Sequence, residues 1–527
     1  MKPMVQALRA HLPRLLRFRP MVLALSIGLA AVTSLAPSPS AAQLPALGDG
    51  GSLGAAEERS IGERIARLIY ADPDYLEDPV LADYVEGVWA PLLAAAKLRG
   101  ELPQELEDRF AWQIMLLRDR SINAFALPGG YLGLNLGLIG AVSQRDELAS
   151  VLAHELSHVT QRHIARMFER QDQQAPLLLG ALLLGAVAMS RNPEMANAIL
   201  VGGQAVAAQQ QLNFTRDMER EADRVGLGLM GQAGYQPEAF VRMFERLQQS
   251  ARLNDDGSFP YLRSHPLTTE RLAEMRARLS ERANPGAEPP TDMTQMLMAA
   301  RARVLAKPGA DALRRWAQEP RDPAFATQSA PRRAAALYAA ALAQQALGDA
   351  SAAERIAADL VPLVSDDAQA SRWVRLLRAE LALNAGRPDV ALAVLRLGGP
   401  QQRESLPRPE RLLVAEVEIQ RGQPERAAAA LQTWLATHPK DGLAWQWLAQ
   451  AWRKQGLTAQ PVRAEGEQRW ARLDLTGALD RFRAAQALLA QAPKTPANDI
   501  EAAIVDSRVR QTQAALKEEL QRERPSR

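Results

Sequence analysis

The stretch VLAHELSHVTQRH, residues 151–163, contains three of the chain's six histidines, His154, His158 and His163. His154 and His158 frame Glu155 in the order His154-Glu155-Leu156-Ser157-His158. On a helix, residues four apart lie on one face, so His154 and His158 can aim both imidazoles at one ion. Glu155, beside them, can reach a water at that ion. Val151, Leu152, Leu156 and Val159 give the helix an apolar side that buries it. Buried histidines need partners, and H-E-x-x-H arises by chance in only about one such chain in a few hundred. His163 is nine positions from His154; at 100° per residue on a continuous helix it points to the opposite side, which leaves it out of the ligand set.

A catalytic zinc has three protein ligands and an open position. Cysteine is absent from the chain, so the ligands are His, Asp or Glu. A third histidine close downstream, preceded by a glycine, is excluded because those two slots hold Gln161 and Ile164. A carboxylate from a second helix is the alternative, and Glu219-Arg220-Glu221-Ala222-Asp223 supplies it. Glu219 and Asp223 share a face while Glu221 points elsewhere. Glu219 is the expected third ligand; Asp223 braces a ligand histidine or assists proton transfer. His265, in SHPLTTERL, is either a helix-start residue without a metal role or a group facing the open metal position. Arg271 follows it and could support an oxyanion. In such a site zinc polarises the scissile carbonyl and activates a water whose proton Glu155 accepts.

The surrounding chain sets this helix in context. Residues 1–42 carry five basic groups and no acid, then an apolar run from Met21 to Leu35, then Ser40-Ala41-Ala42. That order describes a cleavable export signal. Its removal leaves 58 basic and 60 acidic residues, a net charge of −2 that gives no support to a nucleic-acid partner. Residues 43–56 read as a flexible leader. Helical periodicity starts near Glu57, and DPDYLEDPVLADYVEGVWAPLLAAAK reads as a turn and an amphipathic helix. Residues 110–119 have strand character. Residues 121–139 read as a short strand, a Pro128-Gly129-Gly130 turn, and a returning strand or helix start. One helix is expected from Arg145 to Gln171. The apolar stretch 175–211 is either a buried helical hairpin or a segment that touches membrane or covers the site.

Past residue 295 the chain reads as helix after helix. Gly348, Gly386, Gly422 and Gly456 each close an Ala/Leu-rich helix, at spacings of 38, 36 and 34 residues. Ala353, Ala391 and Ala427 each follow five residues later, with Pro461 in the fourth repeat. A glycine turn and a small residue let antiparallel helices close-pack, the tetratricopeptide pattern, which builds solenoids with a concave partner surface. The expected class is therefore mainly α, with a small sheet in the first half, a linker at 286–297, and an α-α tetratricopeptide solenoid over 298–527.

HELSH with the downstream Glu219…Asp223 pair, preceded by NAFALPGGYLGLNLGLI and followed by SHPL, resembles the M48 (Ste24/HtpX-like) zinc metalloproteases over roughly residues 57–285. The resemblance implies an α+β zincin-type metalloprotease domain over 57–285 and one Zn2+ per chain on His154, His158 and Glu219, with Glu155 catalytic and Asp223 a proton donor or brace. It implies a cleft-side strand at Asn123-Ala124-Phe125 that pairs with extended substrate, and a histidine near the metal at His265. With the export signal and repeats, it further implies a periplasmic enzyme of Gram-negative bacteria. Such an enzyme promotes assembly of outer-membrane beta-barrel proteins, degrades stalled ones and has chaperone-like activity. Its repeats would meet the assembly machinery, and 175–211 would give peripheral membrane contact. The rival reading is an exported scaffold or holdase whose metal site is latent or structural.

Overall fold

Hydrophobic periodicity of 3.6 dominates the chain, and the computed structural model is accordingly mainly helical with one small sheet. It describes residues 53–169, 216–253, 260–280, 291–396 and 405–522. The expected export signal at 1–42, residues 43–52 of the expected leader and the apolar stretch 175–211 lie outside the described residues. Among the described residues no helix is long and apolar enough to cross a membrane.

The first half opens with α1 (Ala55–Ala71), the two-residue strand β1 (Tyr75–Leu76) and α2 (Pro79–Leu98). Helix α2 starts where the sequence asks it to. Asp78 caps it by accepting from the Leu81 N–H, and Pro79 occupies the first turn, where no N–H is needed. A short α3 (Gln104–Arg109) leads into β2 (Gln113–Leu117). Strand β3 (Ala124–Leu127), a turn at Pro128–Gly130 and β4 (Tyr131–Asn135) follow, so the Pro-Gly-Gly segment is a hairpin turn as expected. Past β4 the chain enters α4 (Leu136–Ala141), so both readings of its continuation hold in succession.

The sheet order is β1-β2-β4-β3, with β2 and β4 parallel and the outer pairs antiparallel. Side chains alternate across it. Met115, Leu117, Leu127 and Tyr131 meet Ile61, Ile65 and Ile69 of α1 on one face. Leu116, Leu132 and Leu134 join the main core on the other. β3 ends the sheet on the side of the next helix, α5 (Arg145–Thr160).

Helix α5 is buried on every side from Glu147 to Thr160. Its start is fixed by a reciprocal cap in which Glu147 accepts from the Ser143 and Gln144 N–H groups. The single helix expected from Arg145 to Gln171 is instead two. It breaks after Thr160, Arg162 takes a left-handed φ of 50°, and α6 (His163–Glu169) sets off afresh. Beyond the undescribed stretch come α7 (Arg216–Gln232), α8 (Glu238–Leu253), α9 (Pro260–Ser264) and α10 (Thr269–Ser280). Helices α7 and α8 pack on α5.

The second half is a run of helix pairs. Ala330–Ala346 pairs with Ala350–Asp359, Ala368–Asn384 with Pro388–Leu395, Arg408–Gln420 with Pro424–Thr437, and Gly442–Lys454 with Ala459–Ala471. The four repeat glycines stand at the expected turns with φ of 69–89°. In each turn the next N–H bonds back to a carbonyl of the helix, as Asp349 does to Gln344 at 2.9 Å. Only a residue free of a Cβ penalty takes that conformation cheaply. Ala353, Ala391, Ala427 and Pro461 are all buried at the helix contacts.

Helix α11 (Met293–Leu305) packs on α4, on α2 and on the first repeat helix, so one hydrophobic core runs from Ala55 to Val417. A buried arginine on α11 ties the halves together. Arg301 meets Asp78 through Nε (2.9 Å) and Nη2 (2.6 Å), and Glu380 through Nη1 (2.8 Å) and Nη2 (2.9 Å).

Glu416 gives the repeats a pH dependence. Burial, and then the charge of Glu380, push its carboxyl up to about 7. A folded pKa above the unfolded value means the native state holds the proton more tightly. That stabilisation is complete below about pH 4.5 and is lost as pH rises through about 7. After discounting for partial exposure, about 1 kcal/mol is at stake. Glu416→Gln should therefore melt higher than the wild type at pH 8.5 and equally at pH 4. Parallel melting curves at both pH values would exclude this role for Glu416.

Candidate metal centre

Three elements deliver the four residues of the candidate site. Helix α5 presents His154 and His158 one turn apart, α7 brings Glu219, and His265 follows α9. All four side chains are buried, and one ligand atom from each lies within 4.8 Å of the others. The contacts are close. His154 Nε2 is 3.0 Å from His158 Nε2, 3.3 Å from His265 Nδ1 and 3.5 Å from Glu219 Oε2. Glu219 Oε1 is 3.5 Å from His158 Nε2 and 2.9 Å from His265 Nδ1.

These separations test whether the residues fit an ion. Bonds of about 2.1 Å in a tetrahedron put neighbouring ligand atoms about 3.4 Å apart. Five separations, 2.9–3.5 Å, lie near that figure, with Glu219 meeting His154 through Oε2 and His158 and His265 through Oε1, and the whole set lies within 4.8 Å. Three imidazoles and a carboxylate suit a borderline divalent cation. The donors fit a metal, and all four positions of a tetrahedron can be filled from the chain.

The groups behind the ligands are ordered too. Asp223 Oδ1 stands 3.1 Å from His154 Nδ1, on the side of the ring away from the cluster. Arg271 grips Asp223 with Nε at 2.7 Å and Nη2 at 2.8 Å, and places Nη1 2.8 Å from Glu219 Oε2. Its guanidinium thus serves two carboxylates of α7 at once. Burial opposes charge on His154, yet hydrogen bonds to Asp223 and Glu219 win and hold its pKa up to about 9. Burial, joined by the neighbouring imidazoles, drives His158 well below its usual value. Burial would raise Glu219, but His265 and His154 keep it well below the usual carboxylate range.

Glu155 is fully buried beside the cluster. Its Oε2 accepts from the Ala126 N–H of β3 at 2.9 Å. Among the described residues its Oε1 has no hydrogen-bond partner, and His265 Nε2 stands 3.5 Å from it. Burial raises its pKa, against the pull of His265 and His154. β3 is the end strand of the sheet, and the Ala126 N–H leaves it on the side of α5. Asn123 and Ala124–Phe125 line the same run, with Asn123 accepting from the Asn135 N–H at 3.1 Å and Ala124 paired with Leu134.

The structure thus gathers His154, Glu155, His158, Glu219, Asp223, His265 and Arg271 around one point. One residue is placed differently from the sequence reading. His163 does not turn to the opposite side; the break at Arg162 voids the nine-residue projection, and His163 Nδ1 lies 2.9 Å from His158 Nδ1. Glu221 points away from the cluster, as expected, but onto His163 Nε2 at 3.0 Å. Tyr261 was missed altogether. Its ring lies 4.8 Å from that of His265, and its buried hydroxyl has no hydrogen-bond partner among the described residues. Its position four residues before His265 was the available signal.

Comparison with known proteins agrees with this geometry. Residues 93–279 match the model of peptidase family M48, and residues 408–451 match that of the tetratricopeptide repeat. The chain is 30% identical to the beta-barrel assembly-enhancing protease of Escherichia coli (strain K12) over 451 residues, 82% of this chain and 85% of that one. It is 30% identical to the protein of the same name from Yersinia pestis over 426 residues, 80% and 83% of the two chains. A relative from Vibrio cholerae is 33% identical over 269 residues, about half of each chain.

Proposed function

Because the chain belongs to peptidase family M48, we propose that this metallopeptidase is a zinc endopeptidase of the periplasm that acts on misassembled outer-membrane beta-barrel proteins. The observation that carries the peptidase reading is the convergence of His154, His158, Glu219 and His265 beside the unpartnered oxygen of Glu155. The substrate class rests on the names of the relatives and on the helical repeats, whose fold suits protein partners such as the barrel assembly machinery. The export signal in residues 1–42 supports the compartment.

When bound, zinc supplies Lewis acidity to the scissile carbonyl and to a water. The chain's own residues do the rest. His154, His158 and Glu219 would hold the ion, with Asp223 orienting the His154 ring from its Nδ1 side. Glu155 takes the water's proton on its free oxygen and passes it to the leaving amine. End strand β3, with Asn123, Ala124 and Phe125, is the edge that pairs with an extended substrate; the Asn123 carbonyl is already taken by the Asn135 N–H, so the outward groups come from alternate residues such as Ala124. Arg271 stabilises the carboxylates of Glu219 and Asp223, leaving His265 and Tyr261 as donors toward a developing oxyanion.

A second reading has its own support. Four protein groups around one point describe a closed site, whereas a catalytic site keeps a position open. In that reading His265 closes the site at rest, and the protein acts chiefly as a holdase. One experiment separates the two. Purified protein is assayed for metal and then for cleavage of a denatured outer-membrane barrel protein, with and without chelator. Stoichiometric zinc with chelator-sensitive cleavage is expected. Zinc without cleavage, but with suppressed aggregation, would favour the holdase.

A further inference from the structure

His163 is the one histidine of the opening motif that the proposed mechanism leaves idle, and its surroundings are too ordered for a filler residue. Its ring is fully buried. Nδ1 lies 2.9 Å from His158 Nδ1, and Nε2 lies 3.0 Å from Glu221 Oε2. Arg166 Nη1 donates to that same Glu221 oxygen at 2.7 Å. The directions of the protons follow from this chain. An oxygen already receiving a guanidinium N–H is an acceptor, so His163 carries its proton on Nε2 and donates it to Glu221. The bare Nδ1 of His163 must then accept, and only the His158 Nδ1–H can supply the proton between those two atoms. With Nδ1 protonated, neutral His158 has a lone pair only on Nε2, the atom that faces His154 Nε2 at 3.0 Å.

We propose that His163, held by Glu221 and Arg166, is a positioning residue that locks His158 in its Nδ1–H tautomer and thereby sets the metal affinity of the site. The break at Arg162 exists to the same effect, since a continuous helix would carry His163 to the far side. Each ligand histidine on α5 then has its own support: Asp223 for His154, and a relayed carboxylate, through His163, for His158. The inference rests on His158 being a metal ligand.

Partners of this kind change metal affinity by about 10- to 100-fold. The test measures zinc affinity of the full mature chain by competition with a chromophoric chelator, independent of peptidase activity. His163→Leu removes the acceptor and should weaken zinc by about 10- to 100-fold. His163→Gln keeps an acceptor for His158 and a donor for Glu221, and should remain within about threefold of the wild type. Equal affinity for His163→Leu and the wild type would overturn the proposal. So would equal losses in both variants, because that points to ring packing alone. Should His163→Leu fail to fold, Glu221→Leu decides: a loss of similar size supports the relay, and unchanged affinity refutes it. A wild type that binds no zinc is a separate result, and it sinks the peptidase reading instead.

Discussion

The Glu155→Gln variant is expected to keep its zinc and lose peptidase activity by a factor on the order of 10²–10⁴, the usual worth of a general base. The local geometry makes this a clean exchange. Glu155 is fully buried, and its Oε2 is occupied by the Ala126 N–H at 2.9 Å. A glutamine carbonyl can accept that same bond, so the side chain should stay in place. What it cannot do is take a proton on the second oxygen, the one without a hydrogen-bond partner. Glu155 is outside the four-residue cluster, so the metal should remain. Metal content and cleavage rate measured on one preparation check both halves. A variant that cuts as fast as the wild type would falsify the assignment of Glu155 as base.

Arg301→Met should destabilise the protein by about 3–5 kcal/mol, the cost of leaving buried carboxylates without their cation. Asp78 and Glu380 both depend on this guanidinium, and Tyr338 Oη stands 3.3 Å from Nη1. Asp78 comes from the start of α2 in the first half, Glu380 from a repeat helix in the second. The loss should therefore appear as loosening of the contact between halves as well as a lower denaturation midpoint. Adding Asp78→Asn and Glu380→Gln should recover much of the stability, because asparagine still caps α2 and no charge is left stranded. A single Arg301→Met variant with an unchanged denaturation midpoint would show that the network contributes nothing net.

Much of the fold was legible because its signals are local. The apolar strand at 113–117, the Pro-Gly-Gly hairpin and the four repeat glycines each depend on the conformations of a few adjacent residues. Strand β1 was not legible. It is two residues long and exists only because Tyr75 and Leu76 pair with Leu117 and Leu116. The break at Arg162 was hidden for a related reason. No proline or glycine marks it, and the left-handed turn is held by tertiary contacts, including Arg162 Nε to Glu58 Oε2 at 3.1 Å.

The sequence by itself determined which residues can share an ion along one helix, since the i, i+4 rule needs no knowledge of the rest of the fold. It also named Glu219 and Asp223 as partners, through their own four-residue spacing on a second helix. Only the tertiary structure decided that His265 joins them, that Arg271 braces the carboxylates, and that His163 stands behind His158. Those contacts join residues from separate helices, and their distances are set by how α5, α7 and α9 pack. Periodicity along the chain fixes the face a side chain takes on its own helix; it carries no information about what another helix brings to that face.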